Sequence, residues 1–230
     1  MTAALVVGCA LLGLAVGWML EPVITRVPRR QPVLGPADPD TPALPPARRA
    51  AVALVNGALF GAMAARFDDT WVLPAYLVLS AALVALAYID LEHYLLPNRI
   101  VYPLAGAMVV LLTLGSLADG DVGVMSRALL AGLAAFGAFF VLHLISPRSM
   151  GFGDVKLSFT LGLSLGWIGW GEVALGLFLG FLYGAVIGIL LIVTRVRTRS
   201  QPVPFGPFLA AGTLTAILVG GTLITWYRGY

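Results

Sequence analysis

The chain has 230 residues, of which 60% are hydrophobic and only 11% charged, and its mean hydropathy is +0.95. Soluble domains carry roughly 25% charged residues, so that class is excluded and the length is counted in spans of about 20 apolar residues. The net charge of +3 comes without any Lys/Arg cluster interleaved with aromatics, which argues against a nucleic-acid partner.

The first apolar run covers residues 2–20 and has no basic residue ahead of it, so it reads as a retained span rather than a cleaved signal peptide. Cys9 lies inside this run and is the only cysteine. It reads as a small buried hydrophobe, and disulfide or cysteine-based zinc sites are out of reach. Residues 21–49 follow and hold eight of the fifteen prolines. Such a segment favours extended conformations and is expected to be an ordered-to-flexible linker without a core. The expected organisation is therefore 1–49, a first transmembrane helix with a short proline-rich loop, and 50–230, a membrane-embedded domain.

Six further stretches predict spans at 50–66, 72–89, 100–118, 124–145, 172–194 and 206–227, with a seventh at 155–170. Between Lys156 and Arg195 the only charge is Glu172. One helix over that stretch would measure about 57 Å against a bilayer core of about 30 Å, so two helices joined near Gly166–Glu172 are expected. The fold class is thus all-α and polytopic, with about eight transmembrane helices. Gly176, Gly180, Gly184 and Gly188 recur every fourth residue, which puts them on one helix face suited to close packing.

Sorting the cations by side predicts the orientation. Arg26, Arg29, Arg30, Arg48, Arg49, Arg99, Arg148, Lys156, Arg195, Arg197 and Arg199 fall on one side; Arg66, Arg127 and Arg228 fall on the other. The richer side is expected to be cytoplasmic, with both termini outside. Trp71, Trp167, Trp170 and Trp226 then belong to an outer aromatic belt and Trp18 to the inner one.

Charges near membrane depth are costly, so their positions are informative. Asp90 closes the third span and Asp154 opens the sixth, both at the cytoplasmic side on this count. Two carboxylates within hydrogen-bonding range share a proton, and one can activate water while the other protonates the scissile amide. The helix dipole favours an anion at Asp154, near a helix N-terminus, and opposes one at Asp90, near a C-terminus. Gly151 and Gly153 permit backbone conformations and close approach at a tight turn into that helix. Glu92 and His93 read as loop residues in water, with Glu92 able to meet a basic peptide. His143, near a helix end, reads as the maker of a core hydrogen bond. Lys156 is the only lysine among fourteen basic residues, which hints that a compact ammonium is wanted there; as an alternative it is an ordinary snorkelling cation.

Three segments resemble the type IV prepilin peptidases, membrane aspartic proteases of the GxGD class. Gly151-Phe152-Gly153-Asp154-Val155-Lys156-Leu157 is similar to the family's G-x-G-D-x-K-L signature. Ile89-Asp90-Leu91-Glu92 with Leu96-Pro97-Asn98 is similar to its first aspartate motif, and Pro204-Phe205-Gly206-Pro207 to the stretch that opens its last helix. The resemblance implies cleavage of short basic leader peptides from prepilins or pilin-like proteins at the cytoplasmic face of a bacterial plasma membrane, with Asp90 and Asp154 catalytic. It implies no metal and no cofactor for cleavage; S-adenosylmethionine enters only if the family's methyl transfer is retained. Here the chain departs: Gly17 to Pro28 matches the first-helix stretch only in part, and the loop with two cysteine pairs is absent. Two alternatives to a simple peptidase are a bifunctional enzyme that also N-methylates its product and a non-enzymatic transporter or scaffold.

Overall fold

The computed structural model describes residues 3–36, 38–68, 70–147, 150–195 and 203–229. Arg148, Arg197 and Arg199 of the charge-sorting argument lie outside these residues, as does the side chain of Arg228. The described chain is helical throughout, with no strand. Helices α1 (Ala3–Met19), α2 (Glu21–Arg26), α3 (Pro46–Phe67), α4 (Leu73–His93) and α5 (Asn98–Ala118) form one compact unit, Met1–Asp119. Helices α6 (Val122–Ile145), α7 (Phe152–Ile168), α8 (Trp170–Val193) and α9 (Gly206–Arg228) form a second, Gly120–Tyr230.

Among the described residues seven stretches are long and apolar enough to cross a membrane, the first running through α1 and α2 as Ala3–Arg26. The eighth expected span is α7, and it differs from the others. Its 17 residues reach only about 25 Å, and eleven of them are buried, from Asp154 to Gly166. Helices α6, α8 and α9 pack around it. A helix enclosed by its own unit has no need to match the hydrocarbon thickness, which explains how so short a segment is tolerated. A single residue, Gly169, joins α7 to α8, within the expected window. A Cβ there would come 2.6 Å from the Glu172 carboxylate, which would have to swing aside.

In the first unit α1 packs on α3 and α3 on α4, with α5 against α4. Lipid removes the hydrophobic drive between helices, leaving close van der Waals packing and interhelical hydrogen bonds. Both are present. A Cβ on Gly13 would meet the Cβ of Phe60 at 2.7 Å, and one on Gly17 the Cα of Ala53 at 2.7 Å. Asn56, fully buried on α3, donates from Nδ2 to the Gly13 carbonyl of α1 at 2.8 Å. Cys9 is buried and free.

The proline-rich segment contributes to a core, contrary to expectation. Ile24 and Leu44 are buried together with Val52 of α3 and Ala85 of α4. Cations pin the rest: Arg26 donates to the Val33 and Gly35 carbonyls at 3.2 and 2.9 Å, and Arg99 to the Gln31 carbonyl at 2.9 Å. Arg49 donates to the Trp18 carbonyl at 3.0 Å and lies over the Trp18 ring. Pro45 and Pro46 then start α3, where a missing N–H costs nothing.

In the second unit the glycine stripe packs α8 against α9. Gly176 and Gly180 lie against Gly212, where a Cβ would come 2.6 Å from the Gly176 carbonyl oxygen and closer still to the Gly180 amide. Gly184 meets the Phe205 ring, with 3.1 Å from an added Cβ, whereas Gly188 faces open space. Replacing Gly212 by Leu is therefore expected to destabilise the second unit by about 3 kcal/mol, through forced separation of two backbones. Gly188→Ala is expected to stay within about 0.5 kcal/mol of wild type. Thermal unfolding of the two variants in the same micelles checks both values.

Candidate active site

Asp90 lies in the last turn of α4 and Asp154 in the first turn of α7, at the helix ends expected of them. They are 5% and 7% exposed. Among the described residues no other Asp, Glu, Lys, Arg or His is buried to that degree. Burying an ionisable group is costly unless the structure or a function compensates, so the pair stands apart from the remaining charges.

The surroundings of Asp90 are built by the end of α4. Leu86 and Ile89 beside it are buried. The helix closes at Tyr94, which takes the left-handed conformation (φ 53, ψ 38) and donates its N–H to the Asp90 carbonyl at 2.9 Å. That cap holds the turn bearing the carboxylate. Pro97 is buried and caps α5, whose first residue, Asn98, is exposed. Both residues thus shape the α4–α5 turn.

Glu92 and His93 are helical, not loop, residues, completing the last turn of α4, and both are exposed. Glu92 is also engaged: its Oε1 accepts from Arg48 of α3 at 2.6 Å and from the Tyr88 hydroxyl at 3.1 Å. This i, i+4 arrangement with Tyr88 arises because α4 continues to His93, past the end of the apolar run at residue 89. At this exposure the ion pair is screened by solvent and contributes little to stability.

Asp154 follows a turn in which Gly151 takes the capping position and accepts the Asp154 N–H at 3.1 Å. Gly151 has φ −65, an ordinary value for any residue. A Cβ there would come within 3.3 Å of Asp154 Oδ2, a tight contact that presses on the carboxylate. Of the two reasons expected from sequence, close approach applies at Gly151 and conformational freedom does not. Gly153 is half-buried in the first turn of α7. Gly151→Ala is expected to shift the carboxylate and to reduce turnover about tenfold, since small misplacements of reacting groups carry large rate penalties. The melting temperature of this variant should match wild type.

Lys156 reaches back over the Phe152 ring, with 4.8 Å from Nζ to the ring centroid. The two lie one helical turn apart, whereas Asp154 is about 200° around the helix from Phe152. His143 of α6 makes the hydrogen bond expected of it, to the Met150 carbonyl at 2.9 Å. The third motif segment opens α9: Pro204 is buried and Phe205 caps the helix, its ring 5.0 Å from that of Phe181 on α8. Phe205, Phe181, Leu142, Ile145, Ser146 and Met150 line an apolar pocket of about 240 Å³. The pocket thereby sets Phe205 of the third motif beside Met150, the residue that precedes the Gly151–Leu157 motif. Among the described residues no three His, Cys, Asp or Glu side chains gather as a metal site would need.

Sequence reasoning missed Arg127. It was read as one of three cations on the poorer side, but its guanidinium caps α7 from α6. Nε donates to the Gly166 carbonyl at 2.8 Å, and Nη2 to those of Trp167 at 2.6 Å and Ile168 at 3.2 Å. No local spacing signals a partner 40 residues away.

The geometry defines a polytopic helical membrane protein with one buried aspartate at a helix end in each of its two units. Residues 77–193, which contain both aspartates, match the type IV leader peptidase family, and the chain belongs to that family. Relatives include the prepilin leader peptidase/N-methyltransferase of Aeromonas hydrophila, 37% identical over 185 residues, which are 79% of this chain and 61% of that protein. The protein of the same name from Pseudomonas aeruginosa is 33% identical over 76% of this chain and 60% of its own length. That from Bacillus subtilis is 32% identical over 77% and 68%. The chain thus spans about three fifths of the first of these relatives. No solved structure matches it significantly.

Proposed function

We propose that the chain is an aspartic endopeptidase that removes leader peptides from type IV prepilins or pilin-like proteins. The observation that carries this reading is the burial of Asp90 and Asp154, unmatched by any other Asp, Glu, Lys, Arg or His among the described residues, each at a helix end within the segment shared with the family. Asp154, at the end of α7 where the dipole stabilises an anion, is the base that takes a proton from water. Asp90, at the opposite kind of helix end, holds the proton that passes to the scissile carbonyl and takes it back as the tetrahedral intermediate collapses, while Asp154 gives the water proton to the leaving amine. The carboxylates supply both acid and base, so the proposed cleavage uses no cofactor. A transporter's proton relay belongs near the bilayer midplane, whereas these acids occupy helix ends.

The proposed location is the cytoplasmic face of a bacterial plasma membrane. Its support is the cation count, of which Arg26, Arg29, Arg30, Arg48, Arg49, Arg99, Lys156 and Arg195 are among the described residues. A substrate with a short basic leader ahead of an apolar helix suits such a face, and the surrounding lipid would hold that helix. The test is incubation of the chain in lipid with a prepilin-type precursor, with chelator present. Mass spectrometry is expected to show the precursor cut at the leader junction, and an uncut precursor with folded protein would overturn the reading. Adding S-adenosylmethionine to the same reaction reads the second activity in the relatives' names, by methylation of the new N-terminus.

A further inference from the structure

The first turn of α7 carries Asp154 but has no side chain to fix its start. Capping of a helix N-terminus ordinarily falls to Ser, Thr, Asp or Asn, and here the capping position is Gly151, with no side-chain hydrogen bond. The constraint comes from another helix. His143, half-buried in the last turn of α6, donates Nδ1–H to the Met150 carbonyl at 2.9 Å, immediately before Gly151. The same imidazole packs against Phe152, immediately after Gly151, with ring centroids 5.4 Å apart and planes inclined at 51°. Lys156 closes on the Phe152 ring from one turn further along α7.

We propose that His143 is a positioning residue for Asp154, gripping both neighbours of Gly151 and so setting the rotation of the first turn of α7. Resting as it does on the catalytic reading of Asp154, the inference adds how that carboxylate is aimed. A carbonyl oxygen can only accept, so the bond requires the proton on Nδ1. Phe152 is 44% exposed, and a ring so exposed contributes little as core. Its contacts with His143 and Lys156 make it a lever, because Asp154 is two residues on and moves with any rotation of the turn. The glycines on either side of Phe152 lack side chains that could resist such a rotation.

The full chain in lipid is assayed as wild type, His143→Leu, His143→Gln and His143→Asn. An asparagine amide places an N–H close to the position of Nδ1, whereas leucine offers no donor and glutamine displaces it by one bond. His143→Leu and His143→Gln are expected to lower kcat between about tenfold and a hundredfold with KM within about twofold, as a misdirected reacting group would. His143→Asn is expected to recover most of the lost kcat. Equal kcat in wild type and His143→Leu, or an Asn variant no better than the Leu variant, would overturn the inference. The wild-type protein supplies a reading independent of variant folding: ring ¹⁵N shifts of His143, assigned against His93→Gln, are expected to show Nδ1–H, and an Nε2–H tautomer would overturn it. Asp154→Asn runs alongside; if that variant cleaves normally the catalytic reading itself fails, an outcome distinct from failure of the positioning role.

Discussion

Asp90→Asn and Asp154→Asn are each expected to lower the proposed prepilin cleavage by at least about 10⁴-fold, the size of loss seen when one member of a jointly acting catalytic set is removed. Asparagine keeps the volume of the side chain and removes its capacity to exchange a proton. A structural role predicts the reverse pattern. Were either carboxylate present only to support its helix end, the variant would lose stability before activity. Asp154→Asn is instead expected to unfold at or slightly above the wild-type temperature, because a buried charge is removed, and Asp90→Asn close to it, because the proton proposed for that carboxyl already leaves it neutral. On the proposed mechanism the double variant should be no slower than the worse single one. Turnover, thermal unfolding and co-purification with uncut precursor, measured on the same preparations, check all three statements. Full cleavage by either single variant would rule out the shared-proton mechanism.

Arg127→Met destabilises the second unit by about 3 kcal/mol while leaving both aspartates untouched. The guanidinium donates to the last three carbonyls of α7, at 2.8, 2.6 and 3.2 Å, and hydrogen bonds to a charged group contribute about 1.5–3 kcal/mol each before losses to solvent. Met preserves the apolar stem and deletes the fork. Arg127→Lys should recover less than half of the loss, because one ammonium on a flexible stem cannot serve three carbonyls spread over a helix end. Denaturant titration in mixed micelles measures the ordering wild type, Lys, Met. A Met variant as stable as wild type would show that water satisfies those carbonyls equally well.

The eight apolar runs each became a helix, with ends within a few residues of those expected, because in lipid every backbone group must be satisfied within its own segment. The glycine stripe on α8 was legible for the same reason: its four-residue period is local. Its partner was not. Gly212 is one glycine among several in α9, and only the crossing of the two helices singles it out. The proline-rich segment was misjudged because Ile24 and Leu44 find Val52 and Ala85 across more distant chain, while Arg26 and Arg99 supply the hydrogen bonds that prolines cannot.

The candidate site divides along the same line. Asp90 and Asp154 stood out in the sequence because charge is scarce in an apolar chain, and scarcity is a property of composition alone. Their flanking residues took meanings that composition could not carry. Gly151 lies where an added Cβ would press on the Asp154 carboxylate, Glu92 lies within α4 and answers Arg48 of α3, and Arg127 closes the far end of α7. The sequence by itself determined that this is a helical membrane protein, where its spans run and which two acids to suspect, since burial in lipid acts on each segment independently. Only the tertiary structure decided that α7 is enclosed by α6, α8 and α9, and which side chains fix its two ends, because those contacts join residues that no sequence period connects.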